Sequence, residues 1–314
     1  MRYTFKQLEY FVAVAECGSI ARAADVVHVT APSISAAVAQ LEEELSLRLF
    51  VRQANGLQLT PSGREVLERA KSVLAQAHSL HEVGSADADE LRGKIALGCL
   101  LTLAPLVLPQ ICQTFSRLHP GVSVELMEGS QDQLIGAMRR GLADLVLTYD
   151  MHLPPDLRFE KLAALPPMVM LCADHRLAKA HAVDLKDLAQ DPYILLDLPL
   201  SRDYFLALFE KAGLAPTIRI RTTSFEVLRT LVANDFGYSI AVVRPKNESA
   251  LDGTPIIIRP ISNLLPALNM GLLSRKSASS PVALALKKHV QTLIGPNVMP
   301  GMHALGDAEP SVTS

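Results

Sequence analysis

Small and hydroxyl-bearing residues are concentrated where a helix is predicted to begin near residue 31. They are Thr30, Ala31, Pro32, Ser33, Ser35 and Ala36. Three of these side chains carry hydroxyl groups that can hydrogen-bond to phosphate oxygens or base edges, and their small neighbours let a helix lie deep in a groove. The set indicates a DNA-reading surface, although a solvent-exposed helix rich in serine and alanine would have the same composition.

Four further residues are suited to contacts with a sugar–phosphate backbone. They are Arg48, Arg52, Asn55 and Arg64. Residues 1–64 contain six Lys or Arg against six Asp or Glu, and the whole chain has a net charge of −2, so no bulk attraction to a polyanion is expected. Three of the acids, Glu42–Glu44, stand together at the far end of the same predicted helix. We therefore expect basic side chains to dominate the DNA-facing surface.

A second group of residues follows predicted strands in the C-terminal two thirds of the chain. It consists of Leu100, Leu101, Thr102, Ser130, Gln131, Tyr149, Pro199, Ser201, Arg202, Thr223 and Ser224. Each polar member could be an ordinary helix cap. However, ligands bind at the carboxyl ends of parallel strands, and the whole group lies there. The polar residues suit a small organic anion or an amino acid, and the leucines indicate an apolar portion of the ligand.

The chain contains no pattern typical of an enzyme or a metal site. GxSxG, HExxH and a glycine-rich phosphate loop are all missing from the sequence, and its four cysteines form no CxxC pair. Acids such as Asp132, Asp144, Asp150 and Asp197 are explained by turn chemistry. We expect no catalysis, no cofactor and no metal, and we expect four reduced thiols, with a redox-sensing cysteine as the alternative.

Residues 5–64 have the spacing of three short helices followed by a hairpin. Leu8, Phe11, Val12 and Ala15 form one apolar helix face, and the same spacing returns from residue 20 and from residue 34. The short turn HVT joins the last two helices, which predicts a helix-turn-helix. Two β-like runs, RLFVR and LQLT, surround Asn55–Gly56 and predict a β-hairpin wing.

A long helix is predicted to follow the wing, with Pro61 in its first turn. Its apolar residues recur with alternating spacings of four and three. They are Val66, Ala70, Val73, Ala77 and Leu80. Such a seam suits a helix that pairs with its own copy, and the alternative is a helix packed on its own domain. The sequence GSADADELRG then predicts a junction.

From Lys94 onward, predicted strands and helices alternate. KIALGCL, VSVELMEG and LADLVLTYD are separated by two helical stretches, which predicts a mostly parallel sheet in an α/β domain. The span from Ile95 to Ser116 has no charged residue, but Gly98, Pro105 and Pro109 argue against a membrane helix. Residues 296–314 are rich in glycine, proline and small residues and are predicted to be disordered.

The stretch FKQLEYFVAVAECGSIARAADVVHVTAPSISAAVAQLEEELSLRLFVRQANGLQLTPSG resembles the winged helix-turn-helix of LysR-type transcriptional regulators. The resemblance extends more weakly over residues 92–295. It implies an all-α winged helix-turn-helix over residues 1–60, a linker helix and junction over 61–91, and a two-lobed effector domain similar to periplasmic binding proteins over 92–295. Lobe I would hold 93–163 and 268–295, and lobe II 164–267. Ala31 and Ala36 stand where the family commonly has glutamine and a polar or basic residue.

The resemblance also implies a function. A cytoplasmic homodimer or homotetramer would bind promoter DNA, with RNA polymerase as a further partner and no membrane attachment, and an effector between the lobes would modulate binding. An enzyme is the alternative, because some small transferases share the two-lobed fold. An exported binding protein would need a signal, and none is visible. The effector, the target genes and the choice between activation and repression stay open.

Overall fold

A computed structural model describes residues 3–53, 56–84, 91–276 and 280–304. The chain divides into two compact units. One contains residues 1–91 and 136–143, and the other contains residues 92–135 and 144–314.

The N-terminal residues form three helices, a hairpin and a long helix. They are α1 (Phe5–Cys17), α2 (Ile20–Val26), α3 (Ala31–Leu45), β1 (Phe50–Gln53), β2 (Gly56–Leu59) and α4 (Pro61–Gly84). Thr4 begins α1 with a reciprocal capping box, and Gly18 ends it in the left-handed conformation. Ser19 precedes α2 without making the side-chain cap that its position suggests. Phe11, Ile34 and Leu41 are fully buried between these helices.

The wing is an antiparallel hairpin joined to the helices by backbone hydrogen bonds. Phe50 lies opposite Leu59, and the Leu57 N–H donates to the Gly18 carbonyl at 3.1 Å. At the start of α4, the Thr60 hydroxyl accepts from the Gly63 N–H at 2.8 Å. A Cβ at Gly63 would lie 2.1 Å from the Leu49 carbonyl oxygen, so only glycine fits between the wing and α4. The predicted winged helix-turn-helix is therefore present.

Residues from 93 onward form ten strands and five α-helices within the described ranges. In chain order they are β3 (Gly93–Leu100), α5 (Ala104–Leu118), β4 (Val122–Gly129), α6 (Gln131–Arg139), β5 (Leu145–Tyr149), β6 (Leu157–Leu165), β7 (Met168–Cys172), β8 (Pro192–Leu196), α7 (Pro199–Lys211), β9 (Thr217–Thr222), α8 (Phe225–Ala233), β10 (Ser239–Ala241), β11 (Ile256–Pro260), β12 (Leu268–Arg275) and α9 (Pro281–Leu293). A short 3₁₀ helix, Leu185–Leu188, precedes β8.

These strands make two lobes. The first lobe contains a five-stranded sheet in the order β4-β3-β5-β12-β6, in which β3 runs parallel to both of its neighbours and β12 runs antiparallel to both of its own. The second lobe contains β10-β7-β11 and the parallel pair β8-β9, and a single bridge between Tyr193 and Tyr238 connects them. The chain crosses between the lobes from β6 to β7 and from β11 to β12. The predicted two-lobed α/β fold is confirmed.

Residues 296–304 are ordered, so the prediction of disorder is wrong for this part of the tail. Met299, Met302 and Ala304 are buried, and Met302 forms an antiparallel bridge with Pro245 of the second lobe. A Cβ at Gly301 would lie 2.3 Å from the carbonyl oxygen of Leu106 on α5 of the first lobe. The segment thus packs against both lobes, which its composition did not indicate. Residues 305–314 lie outside the described residues.

Candidate functional site

The outward face of α3 is formed by the small residues that the sequence singled out. Pro32, Ser33, Ser35 and Ala36 are exposed, whereas Ile34 on the opposite face is fully buried. The alternation follows from the helical period, which places the two sets about half a turn apart. A helix of this kind can approach a second molecule closely without moving large side chains.

Thr30 is the N-cap of α3. Its hydroxyl oxygen accepts from the Ser33 N–H at 3.4 Å and lies 2.8 Å from the Ser33 hydroxyl oxygen. The two hydroxyls therefore hold each other in place at the exposed tip of the helix. Ala31 is half-buried and packs against the helical core. The tip offers hydroxyl groups at fixed positions, which suits hydrogen bonding to phosphates or bases.

Two of the four predicted phosphate-binding residues have described side chains. The Arg48 side chain is 87% exposed at the base of the wing, and Arg64 donates from Nη1 to the Leu59 carbonyl at 3.2 Å. The Arg52 side chain and the whole of Asn55 lie outside the described residues. The structure thus places Arg48 and Arg64 beside the hairpin, with the Arg48 guanidinium in solvent.

Glu42 has a role that its sequence context did not suggest. Its Oε1 accepts from the backbone N–H groups of Leu49 at 2.6 Å and Phe50 at 3.2 Å, and its Oε2 lies 3.8 Å from Arg48 Nη1. This carboxylate on α3 therefore fixes the first residues of the wing. In the sequence, Glu42 was one of three adjacent acids, and only the spacing of seven residues to Leu49 could have hinted at the contact.

The proposed dimer seam on α4 is only partly available. Val66 packs against the core of the N-terminal unit, and Ala70 is 3% exposed within that core. Ala70 is thus covered by its own unit and Val66 is partly covered, while the pairing of α4 with a second copy stays a prediction. Val73 is exposed and Ala77 is half-buried, while the Leu80 side chain lies outside the described residues.

A cleft opens between the two lobes of the C-terminal region. It is lined by Leu100, Leu101, Thr102, Gly129, Ser130, Gln131, Asp132, Tyr149, Leu198, Pro199, Leu200 and Ser201. Eight of the eleven predicted ligand-binding residues are in this set. They meet because β3, β4 and β5 end at the same edge of the first sheet, and the start of α7 faces that edge from the second lobe.

A second pocket shares a wall with this cleft. Its lining consists of Thr102, Tyr149, Leu196, Ser201, Tyr204, Phe205, Phe225, Ala241, Val242, Val243 and Leu268. Thr102, Tyr149 and Ser201 belong to both cavities. The apolar members were missed from the sequence, since buried aliphatic and aromatic residues after a strand look like ordinary core. The only signal was that Val242 and Val243 follow β10 directly.

Three predicted ligand-binding residues do not line either cavity. Arg202 is held by Asp203 through Nε at 3.1 Å and by Asp197 through Nη1 at 3.4 Å. The Ser224 hydroxyl accepts from the Val227 N–H as the cap of α8, and Thr223 is exposed before it. For these residues, the ordinary capping and ion-pairing interpretation is the one that the structure supports.

Several lining residues are occupied by internal hydrogen bonds. Gln131 is 2% exposed, accepts from the Thr148 hydroxyl at 2.8 Å and donates to the Met151 carbonyl. The Ser130 hydroxyl accepts from the Gln133 N–H at 3.4 Å. Helix α5 begins after Leu103, so Thr102 does not cap it and instead lines the cleft together with Tyr149. Burial raises the pKa of the Tyr149 hydroxyl, and this residue is therefore a neutral phenol.

The four cysteines are free thiols. Burial raises the pKa of Cys99, Cys112 and Cys172, and the Cys172 thiol also donates to the Asp235 carboxylate at 3.2 Å. Among the residues that the structure describes, no group of His, Cys, Asp or Glu could hold a metal ion. No helix in the same part of the chain is long and apolar enough to cross a membrane.

Comparisons with known proteins match both halves of the chain. Residues 5–64 match the family model "Bacterial regulatory helix-turn-helix protein, lysR family", and residues 88–294 match "LysR substrate binding domain". A hydrogen peroxide-inducible genes activator of Pectobacterium carotovorum is 30% identical over 75% of this chain and 78% of its own.

Two solved structures are similar over nearly the full length. HinK, a LysR family transcriptional regulator from Pseudomonas aeruginosa, is 33% identical, with a TM-score of 0.63, over 93% of this chain and 99% of its own. A full-length OxyR variant from the same organism is 25% identical, with a TM-score of 0.70, over 92% of this chain and 97% of its own.

Proposed function

Because the chain belongs to the LysR family of DNA-binding transcriptional regulators, we propose that a small effector bound between its lobes modulates its grip on promoter DNA. The observation that carries this proposal is that one chain contains both an exposed, small-residue α3 face beside a wing and a cleft between two lobes at the ends of parallel strands. In this proposal the N-terminal residues bind DNA and the C-terminal residues bind the effector.

In the N-terminal unit, we assign base reading to α3 and backbone contacts to the wing. The exposed hydroxyls of Ser33 and Ser35 can reach base edges or phosphates, and Arg48 extends into solvent beside the hairpin. Ala31 and Ala36 carry no hydrogen-bonding side-chain group, so fewer base contacts are expected from this helix. We therefore expect phosphate contacts and DNA shape to supply a larger share of its operator preference.

In the C-terminal region, the effector would shift the lobes between two arrangements that it binds with different affinity. The two crossovers, from β6 to β7 and from β11 to β12, are the segments that can bend. Residues 92–295 form this proposed sensor, with 93–163 and 268–295 in lobe I and 164–267 in lobe II. Residues 1–60 form the proposed reading head, and 61–91 the proposed linker.

The active form is proposed to be a homodimer that presents two α3 helices, and two such dimers would form a tetramer. Ala70 is buried and Val66 is partly buried within the N-terminal unit. The proposed contact between copies is therefore the surface of α4 at Val73, Ala77 and Leu80. We place this regulator in the cytoplasm with access to RNA polymerase, and we assign it no catalytic role.

One relative is named for hydrogen peroxide, and thiol oxidation is a second candidate signal. The raised pKa values of three of the four cysteines argue against it, because the thiolate is the species that peroxide oxidises. Peroxide treatment is expected to leave the DNA affinity of the full chain unchanged. A loss of affinity that dithiothreitol reverses would favour the thiol mechanism.

A mobility-shift assay with DNA from upstream of the gene that encodes this chain tests the proposed DNA binding. Specific retardation is expected. Arg48→Ala should weaken binding to all duplexes alike, whereas Ser35→Ala should change the preference among them. Arg64→Ala is the matched control for Arg48→Ala, because the Arg64 guanidinium already donates to the Leu59 carbonyl. If no duplex is shifted specifically, or if the Arg48 and Ser35 variants act alike, the assignment of these roles fails.

A further inference from the structure

The two adjoining cavities suggest the charge of their ligand. This inference rests on the proposed function, since it concerns the same cleft. Asp132 is the only charged residue among the described residues that line either cavity. The pocket that contains Tyr204, Phe205 and Phe225 has no charged member at all. A buried carboxylate needs a cation or several well-placed donors to replace its hydration, and this lining supplies no cation.

The arginine that stands nearest in the sequence to a lining residue already has two carboxylate partners. Arg202 follows the lining residue Ser201 directly, but its guanidinium contacts the carboxylates of Asp203 and Asp197. Arg221 also contacts Asp197, at 3.4 Å through Nη1. Turning Arg202 into the cleft would break both of its ion pairs. Asp203 and Asp197 therefore compete with any ligand for the guanidinium of Arg202.

Helix starts commonly bind anions, and those at the cleft carry features that weaken such binding. Pro199 begins α7 and Pro105 lies in the first turn of α5, and proline has no N–H to donate. The Leu103 N–H next to α5 donates to the Leu100 carbonyl at 2.9 Å. In α6, Asp132 already places a carboxylate in the first turn. A proline thus removes one donor from each of two helix starts, and a carboxylate already stands in the first turn of the third.

The remaining polar groups are neutral and lie where the cavities meet. Thr102, Tyr149 and Ser201 form the wall that the two cavities share. Hydroxyl groups of this kind both donate and accept, so they match an alcohol, amide or carbonyl group. Beyond them, Phe205, Phe225 and the aliphatic residues form an apolar end that can accept a ring or a short chain.

We propose that the effector is an uncharged, mainly apolar molecule with one hydrogen-bonding group. Its apolar part lies in the pocket of Phe205 and Phe225, and its polar group meets Thr102, Tyr149 and Ser201. This assignment differs from the small organic anion or amino acid that the polar residues of the sequence suggested. The difference arises because no cation among the described residues lines either cavity and because Arg202 is held by the carboxylates of Asp203 and Asp197.

Isothermal titration of the full chain with matched probes tests the proposal. Cinnamamide, cinnamyl alcohol and cinnamate share one ring and one chain length, and only the last is charged at neutral pH. The neutral probes are expected to bind at least about tenfold more tightly than the acid, since the acid would have to bury an unpaired charge beside Asp132. Tighter binding of cinnamate, or no binding of either neutral probe, would overturn the proposal.

Three variants test whether the probes bind in the cleft between the lobes. Asp132→Asn should bring the affinity for cinnamate closer to that for cinnamamide. Ser201→Phe should abolish binding by filling the shared wall, whereas Thr223→Phe places the same ring at an exposed position outside both cavities. Equal loss in both phenylalanine variants would place the ligand elsewhere. Mobility shifts of the unliganded protein test the regulatory function separately, so the two failures are distinguishable.

Discussion

Replacing Glu42 tests whether a carboxylate on α3 holds the wing in its DNA-binding position. Glu42 accepts from the N–H groups of Leu49 and Phe50. Leu49 is fully buried, so water cannot replace the lost acceptor there. Hydrogen bonds to charged groups contribute about 1.5–3 kcal/mol each. Because Phe50 is only half-buried and can recover a water, we expect Glu42→Ala to cost about 3 kcal/mol in total.

Glu42→Gln should have a smaller effect of the same sign. The amide oxygen can still accept from one N–H group, but a neutral acceptor is roughly half as strong as a carboxylate, which gives a cost of about 1–2 kcal/mol. If the wing must be reordered when DNA binds, this cost adds to the binding free energy. The full 3 kcal/mol of the alanine variant would weaken binding by up to about a hundredfold.

The control is Glu43→Gln, which removes the same charge from the adjacent, exposed position. On electrostatic grounds alone, losing an acid near a polyanion should leave binding unchanged or tighten it slightly. Only the Glu42 variants should therefore weaken DNA binding. Fluorescence anisotropy with a labelled duplex measures affinity, and amide hydrogen exchange at Leu49 and Phe50 reports on the wing. Equal affinities and unchanged exchange in both variants would refute the role of Glu42.

Three other predictions concern the C-terminal region. Gly301→Ala should lower the free energy of unfolding by about 2–4 kcal/mol, because its Cβ would meet the Leu106 carbonyl at a φ of +63°; Gly213→Ala, at a φ of +70° with open space, should lose only about 1 kcal/mol in the same denaturation experiment. Burial lowers the pKa of His289 from 6.5, so the unfolded chain binds more protons below that value. Stability should fall as the pH drops through 6.5, and denaturation of His289→Gln should show a flatter pH profile. Alkylation of Cys99 at neutral pH should be detectable by mass spectrometry only after unfolding, since burial both covers the thiol and raises its pKa.

The spacing of apolar residues along the sequence was sufficient to predict most of the helices and strands. The three helices of the N-terminal unit and the hairpin after them follow from local apolar spacing, caps and turn residues, which need no distant partner. Two strands escaped prediction. β6 carries Arg158, Glu160 and Lys161 as an edge strand that is only partly covered, and β11 is a short apolar run whose place depends on pairing with β7. Neither pattern is typical of a strand without its neighbour.

The sequence alone determined where a ligand could bind, because parallel strands bring their carboxyl ends to one edge wherever the elements alternate in this order. It also determined which face of α3 is exposed, since the helical period separates the two faces. Only the tertiary structure decided which charges remain available at these places. Asp197 and Asp203 hold Arg202 away from the cleft, and Leu49 and Phe50 occupy Glu42. The hydrogen-bonding capacity of a side chain is limited, and the partners that use it come from distant parts of the chain that only folding brings into contact.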